Sequence, residues 1–342
     1  MNKILLNSFL CICLFAGFNT SAQSEKKIAG IVGFYNVENL FDTENDEGKD
    51  DAQYLPEGDY LWTPDKYQIK LTNLAKVINS MTGNYSPDIL GLVEIENRRV
   101  LEDLVGHKDM KKNGYQIIHF ESPDRRGVDV GLLYKPKTFT PFHTKALELQ
   151  NPADTSFKTR DILYVKGLFQ RKDTLHVFVN HWPSRRGGKE DMRILAGKLA
   201  RNAVDSILQI NPKAKIILMG DFNDDPTNKS IQRELRAIGK EKKMVDGDLF
   251  NASYKSFKQG HGSLRYNGAS NLFDQIIVSQ GFMEKNTDDV FYMDGSFRVF
   301  SPNWLFNQSG KDTGTPFRTF SRGVFVGGYS DHLPTFIVIG GK

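Results

Sequence analysis

Apolar runs bounded by polar or turn-forming residues mark the strands expected in this chain. The first covers 28–35, and Asn36-Val37-Glu38-Asn39 carries it out of a sheet. Behind the break at Pro87, Ile89-Leu90-Gly91-Leu92-Val93 gives a second that ends on Glu94. The run Ile216-Ile217-Leu218-Met219 predicts a central strand over 215–220, opening onto Gly220-Asp221-Phe222-Asn223-Asp224. Segments 115–120 and 129–134 predict a strand pair across the polar turn 122–127, and 162–169 with 174–181 predict a hairpin. Two late strands are expected at 273–279 and 334–339.

Helical spacing appears between these runs. Over 66–81, Ile69, Leu74, Val77 and Ile78 share one face. Over 189–210, Met192, Leu195, Leu199, Ala203, Val204 and Ile207 repeat at three- and four-residue steps, and Pro212 stops the helix. A third helix is predicted at 230–238. The acidic stretch 42–64, with Pro56 and Gly58, reads as a solvated surface loop. Its Asp42, Asp46, Asp50 and Asp51 lack the spacing of a calcium loop. The Gly-, Phe- and Arg-rich stretch 295–328 reads as long ordered loops. Hairpins imply antiparallel sheets, and interspersed helices imply outer layers. The expectation is one α/β domain over 27–341, with two mainly antiparallel central sheets flanked by helices.

Composition changes this picture only at the start. Lys3, an apolar run over 4–18 and small residues up to Ala22 fit a signal peptide over 1–22. The run is too short to span a bilayer comfortably, so no stable membrane insertion is expected. Both cysteines, Cys11 and Cys13, fall in that segment. The mature chain would then be secreted or periplasmic and would depend on its core, without disulfides. A formal charge of +4 does not by itself indicate nucleic acid.

The chemistry lies at the strand ends. Asn36, Glu94, Asn180-His181, Asp221, Asn223, Asp274 and Ser330-Asp331-His332 each leave or open an apolar strand. Asp221 and Asn223, two apart in an extended segment, point the same way. Oxygen-rich donor sets favour a hard cation such as Mg2+ or Mn2+, whereas zinc would want several histidines or thiolates. Histidines beside acids suit proton transfer or charge stabilisation near neutral pH. Such a set can polarise a phosphate ester and aim water at it.

The segments Phe34-Tyr35-Asn36, Leu92-Val93-Glu94, Asn180-His181, Gly220-Asp221-Phe222-Asn223, Phe273-Asp274-Gln275-Ile276-Ile277 and Ser330-Asp331-His332-Leu333-Pro334 resemble the endonuclease/exonuclease/phosphatase superfamily. They occur in that family's order and span nearly the whole chain. The resemblance implies a four-layered, deoxyribonuclease I-like α/β sandwich and hydrolysis of phosphate esters with Mg2+ or Mn2+. It implies Glu94, Asn36 and Asp331 at the metal, and Asp221 and Asn223 at the water and phosphate. By the same resemblance His332 contacts phosphate, Asp274 fixes its tautomer, and His181 is the second histidine. The nuclease branch supports that second histidine with a glutamate. Here the matching stretch is Arg126-Gly127-Val128-Asp129-Val130, and Asp129 is the stand-in.

Loops choose among substrates. Arg185 and Arg186, just after His181, suit an anionic substrate. Arg298, Arg318 and Arg322 alternate with Phe297, Phe300, Trp304, Phe317 and Phe320, a pattern that can grip nucleic acid or pack on itself. Arg160 is a further candidate contact. The expectation is a monomeric, exported phosphodiesterase, an endonuclease first. The alternatives are a hydrolase of inositol phosphates or sphingolipid head groups, or a catalytically silent surface-binding protein.

Overall fold

A computed structural model describes residues 27–83, 85–186, 189–285 and 289–341. The expected signal segment lies outside them. The first sheet is built from β1 (Lys27–Leu40), β2 (Ile89–Ile95), β3 (Gln116–His119) and β4 (Asp129–Tyr134). Its order is 291–292, 335–341, β1, β2, β4, β3, with Arg298–Val299 also paired to the 335–341 strand. The second sheet contains β5 (Phe139–Leu147), β6 (Ile162–Phe169), β7 (Asp173–His181) and β8 (Lys215–Asp221). Its order is β5, β6, β7, β8, 274–279, 249–251, 237–238. Pairing is mostly antiparallel, but the centre of each sheet holds a parallel pair, β1 with β2 and β7 with β8.

Those parallel pairs decide where the polar strand ends go. Parallel neighbours finish on the same edge, and an antiparallel neighbour starts there. Asn36 lies opposite Val93, one residue before Glu94. His181 lies opposite Asp221, and Asp221 opposite Asp274 at the start of its antiparallel strand. Thr335, just after His332, lies opposite Phe34, just before Asn36. The register therefore collects these ends on one edge of each sheet, and the packing of the sheets joins the two edges, with Asn36 Nδ2 donating to Asp221 Oδ2 across them.

The inner faces of the two sheets share a core. Val32, Phe34, Val93 and Leu132 of the first sheet meet Val165, Val177, Met219 and Ile276 of the second. Helices α1 (Pro64–Ser80) and α2 (Arg98–Gly106) cover the outside of the first sheet, and α3 (Glu190–Ile210) covers the second. Burying each such aliphatic side chain contributes about 1.5–3 kcal/mol before entropy is counted. Close packing also explains Gly220. A Cβ there would sit 2.4 Å from the carbonyl oxygen of Asn180, so the residue before Asp221 cannot carry a side chain without moving β7.

Several elements differ from expectation. The predicted helix at 230–238 is a single wide turn, Ser230–Glu234, followed by the strand Ala237–Ile238. Pairing of Ala237 with Leu249 outweighs local helical spacing there. In α1 the buried face runs through Tyr67, Lys70, Leu71, Leu74, Val77 and Ile78, while Ile69 is exposed. The acidic stretch is not uniformly solvated. Asp42 and Asp51 are buried, and Trp62 donates its indole N–H to the Phe41 carbonyl at 2.9 Å. The edge strand β5 is largely exposed and carries no clear apolar pattern, and the short helix α2 was not among the expected elements although Val100, Leu101 and Leu104 give it an apolar face.

Candidate active site

The rim residues converge on a hollow of about 610 Å3. Glu94, His181, Asp221, Asn223, Asp331 and His332 line it, together with Arg126, Arg160, Arg186 and Arg318. Asn36 sits beneath, fully buried. Its Nδ2 donates to Glu94 Oε1 and to Asp221 Oδ2, both at 3.1 Å, and its Oδ1 accepts from Glu38 N at 3.0 Å. One amide thus sets the spacing of two carboxylates from different sheets.

Backbone conformation at the rim is unusual. Glu38, Asn39, Glu94 and Asn223 all have φ between 51° and 60°. That region is disfavoured for residues with a Cβ and persists where surrounding bonds over-determine it. Glu94 is held by its Oε2 accepting from Asn39 N at 3.1 Å, and Asn223 by donating its N–H to Asp221 Oδ1 at 2.9 Å. Asn223 Nδ2 also donates to the Trp182 carbonyl at 2.9 Å.

His332 and Asp274 form a buried pair, Nδ1 to Oδ2 at 2.7 Å, with Ser263 donating its hydroxyl to the same carboxylate oxygen. The other ring nitrogen, Nε2, lies 3.8 Å from Asp221 Oδ2. Burial pulls His332 down, but Asp274 and Asp221 together overcome it and hold the imidazolium well above its ordinary value. Burial pushes Asp221 up to about 7, with Asp274 adding to the rise and His332 opposing it. A proton acceptor that titrates near neutrality is suited to general-base work.

His181 is in the opposite state. Its Nε2 lies 3.8 Å from both Glu94 Oε1 and Asp221 Oδ2, while its Nδ1 is buried with no hydrogen-bond partner among the described residues. Burial, then Arg160, Arg126 and His332, push it well below its ordinary value, so it is a neutral ring at pH 7. The expected support from Asp129 is absent. Asp129 is taken by His119 Nε2 at 3.0 Å and by the Ser122 backbone N–H at 2.8 Å. With His119 and Glu121 it forms a separate group whose ligand atoms lie within 4.8 Å of one another. The side facing His181 instead carries Arg160, held by Asp124 at 3.1 Å and by the Trp182 carbonyl at 2.7 Å.

The two candidate arginines part company. Arg186 lines the hollow, whereas Arg185 folds back beneath it. Its Nε donates to the Asn223 carbonyl at 2.9 Å, its Nη2 reaches Asp225 at 3.2 Å, and the guanidinium lies 4.4 Å from the Phe273 ring centroid. Arg185 is therefore a brace for the Asn223 turn. Arg185→Ala is expected to cost about 1–3 kcal/mol, read as a lower Tm. Arg186→Ala is expected to leave Tm in place and to raise KM for an anionic substrate.

One important residue had no apolar signature to flag it. Glu38, buried below Arg318, accepts from Arg318 Nε at 2.8 Å and from Thr319 N at 2.7 Å. Arg318 also reaches Asp331 Oδ2 at 3.1 Å. Two-residue alternation from Asn36 would have pointed to Glu38. The residues here suit a hard divalent cation. Glu94 and Asp331 supply oxygen ligands only, and the crowding of Glu94 with Asp221 around one amide is a repulsion that a nearby cation relieves.

The sequence matches the Endonuclease/Exonuclease/phosphatase family over residues 31–340. The chain belongs to the endonuclease/exonuclease/phosphatase family. As a member it is a hydrolase of phosphoester bonds that works with a divalent metal, and its layered sheets are the deoxyribonuclease I-like sandwich. Solved structures share the fold at low identity. Truncated TDP2 of Caenorhabditis elegans is 17% identical with a TM-score of 0.53, over 91% of this chain and 96% of that one. The human nocturnin catalytic domain, with a bound sulfate anion, is 16% identical with a TM-score of 0.56, over 93% and 96%. A mannosyl-6-phosphatase of Bacteroides thetaiotaomicron is 16% identical with a TM-score of 0.55, over 90% and 98%. A search of curated proteins finds no match to this chain. No helix among the described residues is long and apolar enough to cross a membrane.

Proposed function

We propose that this family member is an exported, monomeric, Mg2+- or Mn2+-dependent phosphodiesterase that cleaves nucleic acid as an endonuclease. The observation that carries the reading is the wall of the hollow. Arg125, Arg126, Lys158, Arg160, Arg186, Lys189, Arg265 and Arg318 face it, alongside Tyr60, Phe157, Tyr266 and Phe273. Cations interleaved with aromatic faces suit a phosphate backbone that carries stackable bases. Export rests on the basic, apolar and small-residue pattern of 1–22.

Glu94 and Asp331 would hold the cation, and Asn36, expected at the metal, instead fixes Glu94 from beneath through its Nδ2 because its Oδ1 accepts from Glu38 N. Bound there, the cation would polarise a phosphoryl oxygen and make the phosphorus easier to attack. Asp221 accepts the proton of the attacking water, and Asn223 positions the phosphate beside it. His332, kept charged by Asp274, donates from Nε2 to the phosphoryl oxygens as negative charge builds on them. His181, being neutral, serves as a hydrogen-bond donor to the same oxygens. The P–O bond to the leaving group breaks as the bond to the water oxygen forms, and the leaving oxygen departs as an alkoxide that takes its proton from solvent.

The same chemistry on a phosphomonoester or a lipid head group is the second reading, since cations from several loops bound the hollow. A substrate panel separates the two. Bis(p-nitrophenyl) phosphate and plasmid DNA should be cut with Mg2+ or Mn2+, and a chelator should reduce both rates by at least about 100-fold. Turnover of inositol phosphate or sphingomyelin with none of DNA would move the assignment to the second reading. No turnover across the panel would leave a silent binding protein.

A further inference from the structure

A second hollow of about 530 Å3 adjoins the first. Leu264, Arg265, Arg318 and Asp331 line both, so the two are neighbours across a shared wall. That wall is tied to the catalytic histidine, because Leu264 bridges to His332 and Leu333 N donates to the Ser263 carbonyl at 2.7 Å. Lys311 and Arg322 line the second hollow and not the first.

The loop that carries Lys311 is held in place. Asn307 Nδ2 donates to Thr315 Oγ1 at 3.0 Å and to the Pro316 carbonyl at 3.1 Å, and Phe317 N donates to the Leu305 carbonyl at 2.7 Å. A fixed loop loses little freedom when a ligand arrives. Its positive charge is largely uncompensated. Lys311 has no ion pair among the described residues, and Arg265 meets the Gly268 carbonyl but no carboxylate among them. Arg322 reaches Asp312 at 3.4 Å, with both side chains well exposed, so that pair is weak and easily exchanged. Arg318, by contrast, is already matched by Glu38 and Asp331.

We propose that the second hollow is a subsite for the neighbouring phosphate of an extended phosphodiester strand, so that the enzyme grips more of its substrate than the bond it cleaves. The inference rests on the nucleic-acid reading above. A small phosphate ester fills the first hollow and leaves Lys311 and Arg322 with nothing to bind. A strand that continues past the cleaved bond crosses the Arg265–Arg318 wall and brings its next charge to them.

The test measures binding apart from turnover. A fluorescein-labelled thymidine strand of about ten nucleotides is titrated, in chelator and at low salt, with the wild-type protein and with the Lys311→Glu/Arg322→Glu double variant. Thermal melting confirms that the variant is folded. The subsite predicts a Kd at least tenfold higher in the variant and a salt dependence shallower by about one to two in log–log slope. A Kd within twofold of wild type overturns it. Wild-type protein that hydrolyses bis(p-nitrophenyl) phosphate yet binds no strand also overturns it, while the phosphodiesterase reading survives. Charge-dependent binding with no hydrolysis of any ester keeps the subsite and removes the enzymatic reading.

Discussion

Asp221→Asn is expected to lower kcat by about 10²–10⁴-fold and, at the same time, to raise Tm at pH 8. The two effects have one cause. Burial pushes the Asp221 carboxyl up to about 7, with Asp274 adding to the rise against His332. An acid whose folded pKa exceeds its unfolded value prefers to be protonated in the native state. Its stabilising contribution is complete below about 3.9 and is lost as pH climbs through about 7. Above that the wild-type protein holds a charge it would rather not bury, and asparagine is the neutral mimic of the same shape. The gain should be a few degrees at pH 8 and should shrink to nothing near pH 4. Calorimetry in chelator reads it, because a bound cation would itself relieve the charge. An active variant would remove Asp221 from the role of base, and one that melts lower than wild type at pH 8 would show that the acceptor lost to Asn36 Nδ2 outweighs the relief of buried charge. Its stability and its reactivity are opposed, as they commonly are at catalytic positions.

Legibility in the sequence followed physical scale. Buried strands announce themselves by unbroken apolar runs, which is why 89–95, 162–169 and 215–221 stood within a residue or two of expectation. The rim was legible because chemistry sits where such strands stop. Pairing between distant segments was not legible. The parallel match of Ala237 to Leu249, which turns an expected helix into a strand, depends on residues whose proximity no local pattern encodes. The same holds for charges. Arg185 and Arg186 are adjacent and alike in sequence, yet one braces a turn and the other faces the hollow. Asp129 was the stand-in for a glutamate supporting His181, at an offset that did not match cleanly, and its strand turns the carboxylate toward His119 and Ser122. Lys70, a charged residue in the middle of α1, is buried and donates to Thr319 Oγ1 at 2.6 Å and to the Tyr329 carbonyl at 2.8 Å. Burial pulls it down to about 8, partly offset by Glu38 and Asp331. Its reason is the loop it pins, which sequence places some 250 residues away.

The Asp274→Asn variant should lose about 10²–10³-fold in kcat at pH 8 and less at pH 5.5. In the native site the Asp274 carboxylate accepts from His332 Nδ1 at 2.7 Å, and both carboxylates favour the cationic ring against the pull of burial. An asparagine with its oxygen in the Oδ2 position still accepts from both the Ser263 hydroxyl and His332 Nδ1, but it carries no charge. The ring then keeps its Nδ1 proton and gives up the one on Nε2 at a lower pH. It loses both the charge and the Nε2 donor that stabilise the developing phosphoryl oxyanion. The sign for stability follows from the same shift. A base whose folded pKa is raised contributes stability that is complete below its unfolded value near 6.5 and is lost as pH rises through the folded value. The variant should therefore melt below wild type at pH 6, and the gap should narrow only at strongly alkaline pH. Its rate should begin to fall at or below about pH 6.5, where the wild-type rate is still held up by the protonated ring. Adding His332→Ala to Asp274→Asn should cost little more, because the two residues act as one unit. A double variant whose losses multiply, or a pH profile identical to wild type, would show that Asp274 holds the strand and not the charge on His332.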